Sequence, residues 1–209
     1  MNKYIFSVDG NIGSGKSTLL KKLQLKNINQ YTVKYLQEPV ETWNTITDEF
    51  GVSILEKYYQ FPRKYSFAFQ MMAYITRLSD IRKAYNESDD YTIIITERCL
   101  ETDYNIFAKM LYESGKMEFV EYSIYCKWFD EFNNEFPISG FIYLRTPPEI
   151  CSSRIESRKR TGEDSIPLDY LIECDSFHKK WLYSKNCLML DSSFEVESKI
   201  RSFILDSIR

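Results

Sequence analysis

A glycine-rich loop near the amino terminus constrains this chain more than any other feature of its sequence. The stretch GNIGSGKS, residues 10–17, fits the pattern G-x-x-x-x-G-K-[ST], follows the apolar run KYIFSV and opens a helical pattern. Glycines let successive backbone N–H groups point at phosphate oxygens, and the helix that follows adds the positive end of its dipole. Lys16 is expected to reach the terminal phosphates, and the Ser17 hydroxyl can ligate Mg²⁺. The motif predicts nucleoside triphosphate binding by Gly10, Asn11, Ile12, Gly13, Ser14, Gly15, Lys16, Ser17 and Thr18.

Strand-like and helix-like segments alternate along the rest of the chain. The runs KYIFSV, YTVKYL, YTIIIT, GFIYL and CLMLD have the length and composition of strands. Helical patterns lie near residues 17–25, 64–85, 101–113, 117–134, 147–158, 168–183 and 195–208. This alternation predicts an α/β fold of three layers, in which helices cover both faces of a five-stranded parallel sheet. No repeat or linker divides the chain, so we expect a single domain over residues 1–209.

Composition and charge argue against several classes of protein. The net charge of −3 over 209 residues does not suit a nucleic-acid partner held by bulk electrostatics. No run approaches the roughly 18 to 20 apolar residues of a membrane span, and the first residues lack the features of a targeting peptide. We therefore expect no membrane partner and a cytoplasmic location. The five cysteines have no C-x-x-C spacing and are predicted to be reduced, and the only histidine, His178, is predicted to lie on a helix surface.

Charged residues stand at the carboxyl ends of two predicted strands. Glu97 and Arg98 follow YTIIIT, and Glu38 with Pro39 follows YTVKYL. In parallel sheets ligands bind beyond these ends of the strands, which places the charges on the functional edge. A carboxylate at Glu38 suits a general base toward a hydroxyl that attacks a phosphate. Taken alone, Glu38 fits a solvated loop acid better.

Five further motifs occur in one order: QEPVETW, KYSFAFQMMAYITR, TERCLETD, YLRTPPEICSSRIESRKR and IPLDYL. In this order and spacing the chain resembles the deoxyribonucleoside kinases, from residue 4 to about residue 194. The resemblance implies a P-loop kinase fold with a short arginine-rich lid at about residues 157–166. It also implies an enzyme of nucleotide salvage that transfers the γ-phosphate of ATP to the 5′-hydroxyl of a deoxynucleoside. ATP and Mg²⁺ are the implied cofactors, and a homodimer paired through helices beside the acceptor pocket is the implied assembly.

The resemblance implies roles for the residues that handle phosphate. Glu38 matches the general base for the 5′-hydroxyl, and Arg98 matches the arginine beside that hydroxyl and the transferring phosphate. Glu97 matches the residue that holds Mg²⁺ together with Ser17. In the run RIESRKR, Arg158 and Arg160 are implied to lie over the phosphates and Arg154 near the donor base. Such arginines neutralise charge on the oxygens of the transferring group. The segment LDSSF resembles the donor-adenine loop, with Phe194 as an adenine contact.

The implied acceptor pocket contains aromatic and polar residues. Gln70 matches the glutamine that reads the base, and Phe107 matches the ring that stacks on it. Tyr59 and Glu163 match the pair that grips the 3′-hydroxyl and so favours deoxyribose. The full set of implied acceptor contacts is Glu38, Trp43, Tyr59, Phe69, Gln70, Arg77, Arg98, Asp103, Phe107 and Glu163.

Arg77 and Asp103 bear on the choice of base. In the family, an Arg–Asp pair at these positions accompanies deoxycytidine and deoxyguanosine kinases, and Ala73 agrees with the deoxycytidine kinase pattern. A charged pair fills the space that a 5-methyl group needs and pairs poorly with thymine. The expected acceptor is therefore deoxycytidine or a purine deoxynucleoside rather than thymidine.

Two alternatives to this function remain at the level of the sequence. A nucleoside monophosphate kinase, such as a thymidylate kinase, shares the loop and the sheet. Such enzymes usually carry Asp-Arg after the third strand and hold an acceptor phosphate with extra basic groups, whereas this chain has Glu97 and Arg98, with Glu163 near the sugar. A non-catalytic assembly subunit typically loses Lys16, Glu38 or the lid arginines, all of which are present here.

Overall fold

The structure is a computed structural model that describes residues 3–23, 25–160, 162–163, 166–191 and 196–209. Within these ranges the strands are β1 (Lys3–Asp9), β2 (Asn27–Ile28), β3 (Tyr31–Leu36), β4 (Thr92–Glu97), β5 (Gly140–Leu144) and β6 (Cys187–Leu190). They form one sheet in the order β2-β3-β4-β1-β5-β6. All neighbouring pairs are parallel except β2 and β3, which are antiparallel.

The prediction of five strands is wrong by one. Each of the five predicted runs forms a strand, and these five are mutually parallel. The sixth, β2, pairs Asn27 with Thr32 and Ile28 with Tyr31 at the edge of the sheet. Asn29 turns the chain there with a left-handed φ of 52°. A strand of two residues is too short to show the alternation on which sequence prediction depends.

Helices surround the sheet at nearly all predicted places. They are α1 (Lys16–Lys22), α2 (Val40–Thr45), α3 (Ile54–Gln60), α4 (Pro62–Asn86), α5 (Leu100–Thr102), α6 (Lys109–Glu113), α7 (Phe119–Phe132), α8 (Pro148–Arg158), α9 (Leu168–Leu182) and α10 (Val196–Ser207), with a 3₁₀ turn at Asn133–Glu135. The short helices α2 and α3 were not predicted. α3 begins at a Ser53 cap whose Oγ accepts a hydrogen bond from the Glu56 N–H at 3.2 Å, a local signal for a helix start.

Two apolar layers cover the sheet and confirm the three-layer α/β architecture. On one face, Ile93 and Ile95 of β4 pack with Ile200 and Ile204 of α10. On the other face, Ile94 packs in a cluster with Tyr74 and Leu78 of α4 and Tyr125 and Phe129 of α7. Successive strand residues point to opposite faces, so three consecutive isoleucines serve both layers. Within the described ranges, no helix has both the length and the apolar character that a membrane span requires.

The segment between α5 and α6 is a π-helical turn, Asp103–Ala108. The three pieces follow one another directly in the chain, where the sequence predicts one ordinary helix near residues 101–113. A π-helical turn inserts an extra residue into the helical repeat and changes the direction of the side chains around it, and such turns are frequent at functional sites. Asp103 and Phe107, both predicted acceptor contacts, lie in this turn.

His178 is buried, contrary to the prediction that it lies on a helix surface. Its exposed fraction is 0%, and its ring stacks on Tyr143 at 5.9 Å between centroids and 6° between planes. Nδ1 lies 2.7 Å from the Cys174 carbonyl oxygen, which can only accept, so Nδ1 carries the proton. The helix face that His178 shares with Cys174 is a core face, and a polar residue on such a face breaks the pattern from which burial is predicted.

We predict that His178 makes folding stability depend on pH. Burial, with Arg98 and Lys16 nearby, lowers the pKa of His178 to about 3, against about 6.5 in an unfolded chain. Between these values the unfolded state binds a proton that the folded state does not, so stability falls as pH decreases. The contribution from pH 7 to pH 5 is about 2 kcal/mol. Urea unfolding at both pH values measures it, with His178→Gln as the variant that lacks this contribution.

A second readout tests the same prediction without a mutation. Because the chain has a single histidine, its imidazole C2 proton gives one assignable NMR signal. We expect this signal not to titrate between pH 8 and pH 5 in the folded protein. A midpoint near the ordinary histidine pKa would contradict the burial of a neutral ring.

Candidate active site

A cavity of about 390 Å³ opens beyond the carboxyl ends of β1, β3 and β4. Its lining combines the glycine-rich loop, the ends of β3 and β4, the middle of α4, the π-helical turn and the segment after α8. Of the residues predicted for the site, it brings together Ile12, Gly13, Gly15, Lys16, Ser17, Thr18, Glu38, Trp43, Tyr59, Phe69, Gln70, Arg77, Glu97, Arg98, Asp103, Phe107, Arg154, Arg158, Arg160 and Glu163. The predicted residues Gly10, Asn11 and Ser14 are not in this lining. Phe194 lies outside the described residues.

The glycine-rich loop has the curled backbone that its sequence predicts. Gly13 has a φ of 78°, and a Cβ at this position would lie 2.5 Å from the Cys151 carbonyl oxygen of α8. Asn11 braces the loop from behind, since its Nδ2 donates to the Leu171 carbonyl oxygen at 2.8 Å. Only glycine combines this left-handed conformation with such a close approach of two backbones. The loop is therefore fixed against α8 and α9.

Lys16 and the arginines of α8 supply positive charge along the loop. Lys16 is buried, and its Nζ donates to the Asn11 carbonyl oxygen at 2.8 Å. Burial, together with Arg98, lowers the pKa of Lys16 to about 8. Arg154 Nη1 donates to the Ser14 carbonyl oxygen at 2.9 Å. These contacts place both cations at the wall of the cavity that the loop forms.

The lid arginines converge on one carboxylate. Arg158 Nε donates to Glu163 Oε2 at 2.6 Å, and Arg160 Nη1 donates to Glu163 Oε1 at 3.1 Å. Glu163 is 3% exposed although both arginines are about one third exposed. α8 ends at Arg158, where the helical pattern predicted at 147–158 also ends. Glu163 thus ties the end of α8 to the short segment that follows it.

Arg98 leaves the end of β4 in a left-handed conformation. Its φ is 61°, which costs a non-glycine residue about 1–2 kcal/mol, and its N–H continues the ladder to the Val8 carbonyl oxygen at 3.1 Å. The turn directs the guanidinium into the cavity, where Nη1 donates to Glu38 Oε1 at 2.6 Å. The guanidinium carbon also lies 4.9 Å from the Phe107 ring centroid. Strained residues of this kind cluster at functional sites.

Glu38 receives a second arginine from α4. Arg77 Nη2 donates to the same oxygen, Oε1, at 3.1 Å. Burial by itself raises the pKa of Glu38, but the cationic side chains of Arg98, Arg77 and Lys16 lower it to about 2. Glu38 is therefore a carboxylate at any physiological pH. The solvated loop acid favoured by the sequence taken alone is not observed.

Arg77 also forms the ion pair with Asp103 that the sequence predicts. Arg77 Nε donates to Asp103 Oδ2 at 2.8 Å and Nη2 to Asp103 Oδ1 at 3.3 Å, with side chains 3% and 2% exposed. Arg77 Nη1 donates to the Glu97 carbonyl oxygen at 2.7 Å. One guanidinium thus joins α4 to the ends of β3 and β4 and to the π-helical turn. The sequence indicated the pair with Asp103 but not the contacts with Glu38 and Glu97.

Aromatic rings form the wall beside Gln70. Phe69 stacks on Tyr58 at 4.5 Å between centroids and meets the edge of Trp43 at 5.3 Å. The Trp43 Nε1–H donates to Thr76 Oγ1 at 3.0 Å, which fixes the indole. Gln70 is buried in the protein yet lines the cavity. This aromatic slot, lined by Trp43, Tyr58, Phe69 and the Gln70 amide, suits a planar heteroaromatic ring with hydrogen-bonding edges.

Ser17 and Glu97 present oxygen atoms to the same part of the cavity. The Ser17 hydroxyl donates to Glu97 Oε1 at 2.9 Å, across 80 positions of sequence. Oxygen donors of this kind suit Mg²⁺, which is usually held by one or two protein ligands together with water and phosphate oxygens. Among the described residues, no group of three or more His, Cys, Asp or Glu side chains is arranged to hold a metal ion. Two oxygen ligands of this kind fit Mg²⁺ that arrives with phosphates.

Several cavity residues were not predicted from the sequence. Tyr58 lies on the unpredicted helix α3, and its hydroxyl lies 3.0 Å from the hydroxyl of Tyr170 on α9. Behind the cavity, Asp9 Oδ1 accepts from Thr102 Oγ1 at 2.6 Å, which ties the end of β1 to the residue next to Asp103. Burial raises the pKa of Asp9. An acid at the end of an apolar strand, directly before the glycine-rich loop, was the available signal for Asp9.

The comparisons with known proteins agree with this geometry. The Deoxynucleoside kinase family model matches residues 6–206. The chain belongs to the deoxynucleoside kinase family. It is 37% identical over 183 residues to a probable deoxycytidine kinase of Fowlpox virus, and the alignment covers 86% of this chain and 72% of the viral protein. It is 33% identical over 219 aligned positions to deoxycytidine kinase of Bos taurus, covering 96% of this chain and 82% of the relative.

A third relative bears on the choice of acceptor. The kinase is 32% identical over 182 residues to mitochondrial thymidine kinase 2 of Homo sapiens, and the alignment covers 86% of this chain and 64% of that protein. Family membership makes this chain an ATP-dependent deoxynucleoside kinase, a phosphotransferase with the P-loop kinase fold. Identity alone does not decide between deoxycytidine and thymidine, because relatives of both kinds are similarly close.

We predict that Gly13→Ala impairs use of ATP while Gly51→Ala does not. Both glycines have nearly the same left-handed φ, 78° and 80°, but a Cβ at Gly51 has no atom within 4 Å. Both variants should therefore lose stability to backbone strain, about 1–2 kcal/mol. Only Gly13→Ala displaces the loop from Cys151, and we expect kcat/KM for ATP to fall by about 10²-fold. Steady-state kinetics with varied ATP, alongside Tm, separate the two effects, and equal ATP kinetics for both variants would contradict the prediction.

Proposed function

We propose that this kinase transfers the γ-phosphate of ATP to the 5′-hydroxyl of deoxycytidine or a purine deoxynucleoside, and uses thymidine poorly. The observation that carries the proposal is the buried Arg77–Asp103 pair at 2.8 Å, set between the aromatic slot and Glu38. The phosphate-binding loop and the slot share one cavity. Glu38 lines this cavity and is held by Arg98 and Arg77, which supports a role as the general base.

The chain's own residues support each part of the reaction. Glu38 takes the proton of the 5′-hydroxyl. The hydroxyl oxygen bonds to the γ-phosphorus while the bond between the γ-phosphorus and the β–γ bridging oxygen breaks, which releases ADP. Arg98, fixed by Glu38 and the Phe107 ring, stabilises charge on the attacked phosphoryl group. Lys16 does the same from the loop side. Their positive charge is already in place before the reaction, which is the main source of catalysis in phosphoryl transfer.

Mg²⁺ fits this scheme at Ser17 and Glu97. Their oxygens converge at 2.9 Å beside the phosphate loop, and Mg²⁺ bound there with the nucleotide would neutralise charge on the phosphate oxygens. The lid arginines would add to this effect. Arg158 and Arg160 hold Glu163, the residue proposed to bind the 3′-hydroxyl together with Tyr59. The same segment would therefore contact both the sugar and the phosphates.

The choice of base follows from the charges at the end of the slot. Arg77 and Asp103 are almost fully buried, and they line the same cavity as Ala73 and Gln70. A substrate that leaves buried polar groups poorly paired loses about 1–3 kcal/mol for each. Thymine adds a methyl group and lacks the exocyclic amine of cytosine and adenine. The pocket therefore favours deoxycytidine or a purine deoxynucleoside.

The substrate panel tests the choice of acceptor. With ATP and Mg²⁺, we expect kcat/KM for deoxycytidine or a purine deoxynucleoside to exceed that for thymidine by about tenfold or more. Cytidine, with its 2′-hydroxyl, should be a poorer acceptor than deoxycytidine. Thymidine as the best substrate would overturn the proposal. The same ADP-coupled assay compares deoxycytidine with dCMP as phosphate acceptors. If dCMP is not phosphorylated, the monophosphate kinase alternative is excluded.

Glu38→Gln tests the general base. Loss of the base should lower kcat by about 10²–10⁴-fold, while the Kd of the deoxynucleoside changes little because the slot is intact. The matched control is Glu41→Gln, which removes an exposed acid of α2 three residues away and should leave kcat unchanged. Full activity of Glu38→Gln would remove Glu38 as the base, and a wild-type enzyme without kinase activity would favour the assembly-subunit alternative.

We also propose that the kinase pairs with a second copy of itself. Exposed apolar side chains lie along α7, namely Phe119, Val120, Ile124 and Trp128, and Ile75 is exposed on the neighbouring helix α4. A grouped apolar surface of this kind usually marks an interaction site. Both helices also contribute to the apolar cluster that contains Ile94 of β4. Sedimentation velocity measures the assembly directly, and a monomer at micromolar concentration would contradict it.

A further inference from the structure

The guanidinium of Arg77 reaches from the base slot to the catalytic carboxylate. It donates to both oxygens of Asp103, to the Glu97 carbonyl oxygen at 2.7 Å and to Glu38 Oε1 at 3.1 Å. Its side chain is 3% exposed, so water does not compete effectively for these bonds. A residue assigned to base choice is thus bonded directly to the residue assigned to proton transfer.

Both arginine contacts of Glu38 go to one oxygen. Arg98 Nη1 at 2.6 Å and Arg77 Nη2 at 3.1 Å each donate to Oε1. Among the described residues, no hydrogen bond reaches Oε2, and Glu38 lines the cavity. Oε2 is therefore the oxygen that can receive the proton of an acceptor hydroxyl, while Oε1 fixes the carboxylate in place.

The charges that face Glu38 are mostly positive. Arg98 follows β4, Arg77 lies on α4 and Lys16 begins α1, and these three oppose the effect of burial and lower the pKa of Glu38. Asp103 and the neutral Tyr59 phenol are further ionisable groups that interact with it. A general base works best when its pKa lies near the operating pH. Each bonded cation therefore steadies Glu38 but makes it a weaker base.

We propose that Arg77 is a positioning residue that restrains the general base, so that the charged pair selecting against thymidine also slows phosphoryl transfer to every deoxynucleoside. Asp103 moderates this effect because it holds Arg77 by Nε and shares Nη2 with Glu38. The inference rests on the proposed function, in which Glu38 is the base. It predicts that base selection and turnover change together when the pair is altered.

The first test is the double variant Arg77→Met/Asp103→Ala. Both charges are removed together, because one left alone in the protein interior would be strongly destabilising. With saturating ATP and deoxycytidine, we expect the single-turnover rate to rise by about threefold to tenfold, as a less restrained base accepts the proton more readily. A single-turnover measurement excludes product release. An unchanged or lower rate in the folded double variant would overturn the inference.

The second test is Asp103→Asn, for which the inference expects the opposite sign. The asparagine side chain retains a hydrogen-bonding oxygen but no charge, so Arg77 is left with Glu38 as its only carboxylate partner. Its hold on Oε1 strengthens, and the single-turnover rate should fall. A role of the pair in structure alone would lower the rate in both variants. If the double variant does not fold, Asp103→Asn carries the test, and a rate equal to or above that of the wild type overturns the inference.

The pH profile supplies a readout that structure alone would not move. The base must be deprotonated, so the single-turnover rate falls as pH drops through the pKa of Glu38. In the double variant this acidic limb should move to higher pH, whereas Asp103→Asn should show no such movement. The matched control is Arg82→Met, on the same helix, whose guanidinium pairs with Glu135 at 2.8 Å but is 42% exposed. It should leave both rate and profile unchanged.

Glu38→Gln separates failure of the inference from failure of the proposed function. If Glu38→Gln is as active as the wild type, Glu38 is not the base and the proposed function fails at that point. If Glu38→Gln is inactive and the double variant is no faster, the base is correct and only the restraint by Arg77 is overturned. Inactive Glu38→Gln with a faster double variant supports both.

Discussion

The acceptor half of this kinase depends on the burial of one guanidinium. Arg77 is almost wholly removed from water and is held by Asp103, Glu38 and the Glu97 carbonyl oxygen. A buried charge is tolerated only when it is paired and hydrogen-bonded. The two cations Arg77 and Arg98 face the two anions Glu38 and Asp103, so the group is neutral as a whole. Loss of any single member leaves a neighbouring buried charge with fewer partners, which costs folding stability.

The fold supplies these charges from separate elements and holds them to a fixed geometry. Glu38 follows β3, Arg98 follows β4, and Lys16 opens the helix after β1. Neighbouring parallel strands bring their carboxyl ends to one edge, so three strand ends meet there without any long loop. Arg77 approaches from α4, and Asp103 from the π-helical turn. Because the charges lie just beyond strand ends and on helical segments, the packing of the core sets the distances between them.

The sequence predicted those features that depend on periodicity or on a complete motif. The parallel strands, the long helix α4 and the phosphate loop all follow from patterns that extend over many residues. β2 and α3 were not predicted because they are too short to show a period. The burial of His178 was not predicted because a polar residue interrupts the apolar pattern from which a core face is recognised. The candidate site residues were predicted through motifs, and nearly all of them line one cavity. The bond between Arg77 and Glu38 was not found, since it depends on how α4 packs against the end of β3.

Location rather than ion-pair geometry decides what an arginine does on α4. Arg77 and Arg82 lie five residues apart, and each forms a bidentate pair with a carboxylate. The pair of Arg82 with Glu135 is about 40% exposed, so solvent screens it and it contributes little beyond its own contacts. The pair of Arg77 with Asp103 lies in the protein interior, where charges act over longer distances and with greater strength. In the proposed function, the charge of Arg77 that selects the nucleobase also acts on Glu38. Under that proposal, substrate selection and catalysis share one cation because the Arg77 guanidinium contacts both Asp103 and Glu38.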